Sequence, residues 1–129
     1  MKILILYSSR DGQTKKIAEF MAQHLEGEVV VSPLMEEQDL QVFDRVIIGA
    51  SVRYGHFNKQ VYRFVERHHE LLNAKSAVFF GVGLTARKEG KDTPEGNVYV
   101  RKFLQHIKWT PVKVGVFAGA LLYPRYKWI

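Results

Sequence analysis

Five short apolar runs divide the chain at near-regular intervals, at residues 3–7 (ILILY), 28–31 (EVVV), 46–48 (VII), 77–82 (AVFFGV) and 112–123 (VKVGVFAGALLY). Runs this short, rich in β-branched and aromatic residues, suit strands buried on both faces, as in a parallel sheet. Between them lie apolar residues spaced three and four apart, which predict amphipathic helices. Ile17, Phe20, Met21 and Leu25 form one such stripe; Val61, Phe64, Val65 and Leu72 a second; Val100, Phe103, Leu104 and Ile107 a third. Asn58 is placed to cap the second helix, with Phe57 and Tyr62 at the positions of a hydrophobic staple. Thr93-Pro94-Glu95 predicts the start of the third, threonine as cap and proline in the first turn. The stretch LMEEQDLQVF after the second run has no clear period, and the third strand is expected to end at Gly49 and enter a polar loop, GASVRYGHFN.

This alternation requires a parallel sheet with helices on both faces, because right-handed crossovers place them there. The expected fold is α/β, a doubly wound five-stranded sheet. At 129 residues the chain suits one domain covering 1–129. No helix follows the fifth run, which ends on apolar and aromatic residues. The expectation is a chain with its final helix missing, or one whose sheet flank is covered by a partner, a homo-oligomer included.

The chain contains no cysteine, which removes disulfides, thiolate metal sites and cysteine nucleophiles. The opening MKILILYSS carries one lysine and six apolar residues, far short of the roughly twenty that cross a bilayer. The formal net charge is +6, and the excess gathers in the second half, at Arg87, Lys88, Lys91, Arg101, Lys102, Lys108, Lys113, Arg125 and Lys127. Such a field attracts anions of any kind and does not choose among them.

In open parallel sheets ligands bind beyond the carboxyl ends of the strands. Three loops leave strands at that edge: residues 8–14, 50–56 and 83–92. The first joins hydroxyls at Ser8, Ser9 and Thr14 to Gly12 just before a helix, where unpaired N–H groups stabilise phosphate without a metal or a lysine. Taken alone, the same loop is equally served by Asp11 capping the helix. Neither a Gly-Lys-Ser/Thr phosphate loop nor G-x-G-x-x-G follows the first strand, so ATP, GTP and NAD are poor ligands and a phosphomonoester a better one. In the second loop Tyr54, between Arg53 and Gly55, suits stacking on a flat ring. His56 reads as a capping or surface residue, and His24, His68, His69 and His106 read as helical, with no metal-ligand spacing.

The stretch YSSRDGQT resembles the phosphate-binding loop of the flavodoxin-like family, hydroxyl-x-hydroxyl-Gly-x-Thr, and departs from it at Asp11. Together SSRDGQT, VIIGASVRYGHF, ARK, YVRKFL and AGALLYPRYKW resemble the menaquinone-dependent protoporphyrinogen IX dehydrogenases of bacterial haem synthesis, over essentially the whole chain. That resemblance implies a flavodoxin fold with strand order 2-1-3-4-5 and FMN as cofactor. It implies protoporphyrinogen IX as reductant, menaquinone or another quinone as acceptor, a peripheral place on the inner face of the cell membrane, and no nucleic-acid partner. Family members continue past the position of Ile129 through a basic, apolar insertion and a last helix.

The resemblance further implies that Ser9, Arg10, Asp11, Gly12, Gln13 and Thr14 hold the FMN phosphate. It implies that Ala50, Ser51, Val52, Arg53, Tyr54 and Gly55, with Gly83, Leu84, Thr85, Ala86 and Arg87, flank the isoalloxazine. It identifies no side-chain acid or base and no metal. Arg87, Lys88, Lys91 and Arg101 are placed to meet porphyrinogen propionates; Tyr123, Arg125, Tyr126, Lys127 and Trp128 form an aromatic-basic end suited to an anionic membrane surface. Two alternatives share the fold: an NAD(P)H-quinone reductase and a flavodoxin-type electron carrier. Such carriers are typically acidic, whereas this chain is basic.

Overall fold

The computed structural model describes residues 1–8, 12–53, 55–83 and 97–117. Its elements in chain order are β1 (Lys2–Ser8), α1 (Gln13–His24), β2 (Glu28–Pro33), β3 (Arg45–Arg53), β4 (His56–Phe57), α2 (Lys59–Ala74), β5 (Val78–Val82), α3 (Val98–Gln105) and β6 (Lys113–Phe117). The five long strands are parallel in the order β2-β1-β3-β5-β6, with the two-residue β4 paired antiparallel to β3. Leaving β4 out of the count, this is the expected order 2-1-3-4-5.

Alternate residues of the central strands feed two cores. Leu4 and Leu6 of β1, Ile48 of β3 and Phe79 of β5 pack under α2 and α3 with Phe64, Phe103 and Trp109. Ile3 and Ile5, Ile47, Phe80 and Val82 face the other way, toward Ile17 and Met21 of α1. Sheet faces buried on both sides account for the unbroken apolar runs. α2 carries the stripe read from its spacing, while on α1 Ile17 and Met21 are buried with Ala18 and Phe20 lies half-buried against His24. The Asn58 side chain caps α2 by accepting from Gln60 N–H at 2.8 Å.

Two expectations change, and the segment without a clear period takes its shape. β3 does not end at Gly49 but runs on to Arg53, because Gly49 is a mid-strand position covered by the Phe80 ring and needs no side chain of its own. The crossover over residues 34–44 contains no helix. It is held instead by buried Leu34, Leu40 and Phe43 and by Lys75, whose ammonium donates to the Phe43 carbonyl at 2.7 Å. The third helix begins at Val98 with Asn97, not Thr93, as its cap; Asn97 Oδ1 accepts from Tyr99 and Val100 N–H, each at 3.2 Å. Thr93, Pro94 and Glu95 lie outside the described residues. No helix among the described residues is long and apolar enough to cross a membrane.

Candidate functional site

Strand register sets the frame of the site. Ser8 lies beside Ala50, Ser51 beside Val82, and Val82 beside Phe117, so the carboxyl ends of β1, β5 and β6 finish level along one edge, and β3 overruns it to Arg53. Gly83 N–H donates to the Phe117 carbonyl at 3.0 Å and ties the chain leaving β5 to β6. The loops after β1, β3 and β5 therefore open at a common edge, where α/β sheets bind ligands.

The first corner is the start of α1. Gly12 is its N-cap in the left-handed conformation, φ +86°, with no side chain capping the helix and no acidic residue in the first turn. Asp11, the cap weighed from the sequence, lies outside the described residues. A β-carbon built on Gly12 meets nothing within 4 Å among the described residues. Thr14 is fully buried, yet its Oγ1 finds no hydrogen-bond partner among the described residues. Leaving a buried hydroxyl unpaired costs on the order of 1–3 kcal/mol. Such an orphan, the second residue of a helix whose N-terminal end carries partial positive charge, fits an anion that accepts its hydrogen bond.

The second corner is a hairpin. β3 turns through Gly55, at φ +82°, and returns as β4, with Val52 opposite Phe57 and Arg53 opposite His56. That φ is one L side chains rarely adopt, which is why glycine stands there. Phe57 drives the return strand into the core, edge-on to Phe79 at 5.5 Å and Phe103 at 5.3 Å between ring centroids. Its ring passes over β5 at Gly81, where a β-carbon would come within 3.1 Å of Phe57 Cζ and 3.0 Å of Val100 Cγ2. A β-carbon on Gly83 would touch Val52 at 3.4 Å, so the second and third loops leave the sheet side by side.

Of the residues expected to hold a cofactor, the structure brings Gly12, Gln13, Thr14, Ala50, Ser51, Val52, Gly55 and Gly83, with the Arg53 backbone, to this edge. Ser9, Arg10, Asp11, Tyr54, Leu84, Thr85, Ala86 and Arg87 lie outside the described residues. Two neighbours escaped the sequence reading. Tyr99 lies under Gly55, and Phe57, read only as a staple, is the anchor of the hairpin. The Asn97 cap was the available signal for Tyr99, since it starts the helix two residues earlier. The histidines serve the backbone: ring nitrogens of His24, His68, His69 and His106 each face a carbonyl at 2.7–3.1 Å, and His56 faces the Phe57 carbonyl at 3.2 Å.

A family model described as a flavodoxin domain matches residues 4–129. The chain is 46% identical over 133 aligned positions to the protoporphyrinogen IX dehydrogenase (quinone) of Escherichia coli strain K12, covering 99% of this chain and 74% of that protein. It is 47% identical to the protein of the same name from Leishmania major, covering 97% of this chain and 57% of that one. Among solved structures, oxidised flavodoxin 1 of Bacillus cereus superposes with a TM-score of 0.62 at 20% identity, over 92% of this chain and 84% of its own, a likeness of fold. The chain belongs to the flavodoxin family and, within it, to the protoporphyrinogen IX dehydrogenases (quinone).

Proposed function

We propose that this chain is an FMN-dependent dehydrogenase that oxidises protoporphyrinogen IX and passes the electrons to a quinone. The observation that carries the cofactor is the buried Thr14 hydroxyl in the first turn of α1, which has no hydrogen-bond partner among the described residues. It suits a terminal phosphate, as does family membership. The substrate and acceptor come from the relatives' shared name and the extent of the match. Menaquinone as the particular quinone, and docking on an anionic membrane face through the basic second half, extend this reading.

In this proposal residues 9–14 bind the phosphate: the Thr14 hydroxyl donates to it, backbone N–H groups of the α1 start surround it, and Gly12 keeps its approach clear. Residues 50–55 and 83–87 bracket the isoalloxazine. Ala50, Ser51 and Gly83 keep side chains small where the strands end, and the Gly55 turn brings backbone rather than side chain against the ring. Bound FMN supplies the redox chemistry, accepting hydrogen from the porphyrinogen in pairs and giving up electrons to the quinone. The chain's own part is to hold, orient and exclude water. Arg101, exposed on the first turn of α3, would meet the propionates together with Arg87, Lys88 and Lys91 of the third loop, which lie outside the described residues.

Anaerobic mixing of the FMN-loaded protein with protoporphyrinogen IX tests the proposal. The expected result is loss of the oxidised flavin's visible band, its return on adding a quinone, and no loss with NADH or NADPH. Prompt bleaching by NADPH with none by the porphyrinogen would instead make the chain a reductase of the alternative kind.

A further inference from the structure

The β3–β4 hairpin is too short to fix its own turn. Its ladder has two residue pairs, Val52 with Phe57 and Arg53 with His56, whereas an isolated hairpin even of greater length is marginal in water. Something outside the hairpin must hold Gly55 at φ +82°. Phe57 clamps one end through Phe79 and Phe103. The other support lies below the turn itself. A β-carbon built on Gly55 would stand 4.0 Å from Tyr99 Cε1, ordinary van der Waals contact, and no other described residue outside its chain neighbours comes within that distance of it.

Tyr99 is well fixed for such a task. Its N–H donates to Oδ1 of Asn97, a residue only 2% exposed, and its half-buried ring packs against the core under α2 and α3. Neighbouring Val100 is equally fixed, capped by the same oxygen and set against Gly81. The first turn of α3 is thus a rigid ledge, and the tyrosine ring is the part of it that reaches the hairpin turn. The placement runs from Asn97 to Tyr99 to Gly55, across two loops that leave different strands.

We infer that Tyr99 is a positioning residue for the flavin site: its ring supports the Gly55 turn and thereby sets where the backbone of residues 50–55 lies against the isoalloxazine. The inference rests on the FMN reading of the site and adds a residue whose ring stands beside the hairpin turn. An aromatic ring is what the role requires, and the phenol oxygen is not. Tyr99→Phe therefore keeps the support, while Tyr99→Ala opens a gap under the turn, and Tyr99→Leu fills the volume without the flat face.

The test uses the full chain and FMN as probe, with three readouts. In flavin-free protein, amide hydrogen exchange at Gly55, His56 and Phe57 is expected to quicken at least about tenfold in Tyr99→Ala, with Tyr99→Phe near wild type. In FMN titrations, Tyr99→Ala is expected to weaken binding by about tenfold or more and to alter the visible bands of the bound flavin, with Tyr99→Phe within about twofold of wild type. If the alanine variant does not fold, Tyr99→Leu takes its place with the same expectations. Wild-type protein that binds FMN, together with an alanine or leucine variant that binds it within twofold and with unchanged bands, would overturn the inference alone. Wild-type protein that leaves FMN fluorescence unquenched would overturn the flavin reading, and the inference with it.

Discussion

The ring of Phe80 in β5 fills the space that a side chain on Gly49 in β3 would need. The two residues are cross-strand partners, and a β-carbon on Gly49 would fall inside the phenyl ring's van der Waals surface. Phe80 in turn sits edge-on to Phe117 of β6, with centroids 5.9 Å apart. Glycine in a strand interior is ordinarily a weakness. Here it lets three adjacent strands share one layer of rings beneath the ligand edge.

Gly49→Ala should therefore destabilise the protein by about 1–3 kcal/mol, the usual cost of forcing extra volume into a packed core. Thermal melting should fall by several degrees. Adding Phe80→Leu to the alanine variant should recover part of the loss, so that the double variant is more stable than the sum of the singles predicts.

Thr14→Val separates binding from stability. The variant keeps the shape of the side chain and removes a buried hydroxyl that has no partner among the described residues. Flavin-free protein should melt at the wild-type temperature or above it, since an unpaired buried polar group is costly. FMN affinity should fall by about tenfold or more, measured by fluorescence quenching. Equal affinity with lower stability would make Thr14 a structural residue.

The two asparagine caps should differ in weight. Asn58→Ala removes one half-exposed bond to Gln60 N–H and should cost about 1 kcal/mol in urea denaturation. Asn97→Ala strands the N–H groups of Tyr99 and Val100 beside the core, and should cost about 2 kcal/mol or more.

Alkaline stability should depend on Tyr62. Burial against Phe103, 5.2 Å between centroids, disfavours its phenolate and raises its pKa above the ordinary value near 10. In the window above pH 10 the unfolded chain releases this proton first. Its contribution is constant below that pH and is lost as pH rises toward the folded value. Tyr62→Phe should reduce the fall in urea midpoint between pH 9 and pH 11 relative to wild type.

The parts of this molecule legible in its sequence are those fixed by near neighbours. β1 could be read because all of Ile3, Leu4, Ile5 and Leu6 are buried, on alternate faces. The Asn58 cap could be read because donor and acceptor are two residues apart. The glycine-threonine corner at the start of α1 could be read because Gly12 and Thr14 stand together at a strand-to-helix turn. The length of β3 could not, since the reason for Gly49 is a ring on another strand. Thr93 and Asn97 are both good caps by residue type; what selects Asn97 is its burial beside Val100, which no local pattern contains. The nearness of Tyr99 to Gly55 was hidden for the same reason, since a helix start and a hairpin turn meet only in three dimensions.

The most direct test of the account is a titration of FMN with the purified protein. Saturable quenching of flavin fluorescence at one FMN per chain, with a shift of the visible bands, is the predicted result. Fluorescence and bands that stay those of free FMN at saturating protein would contradict it.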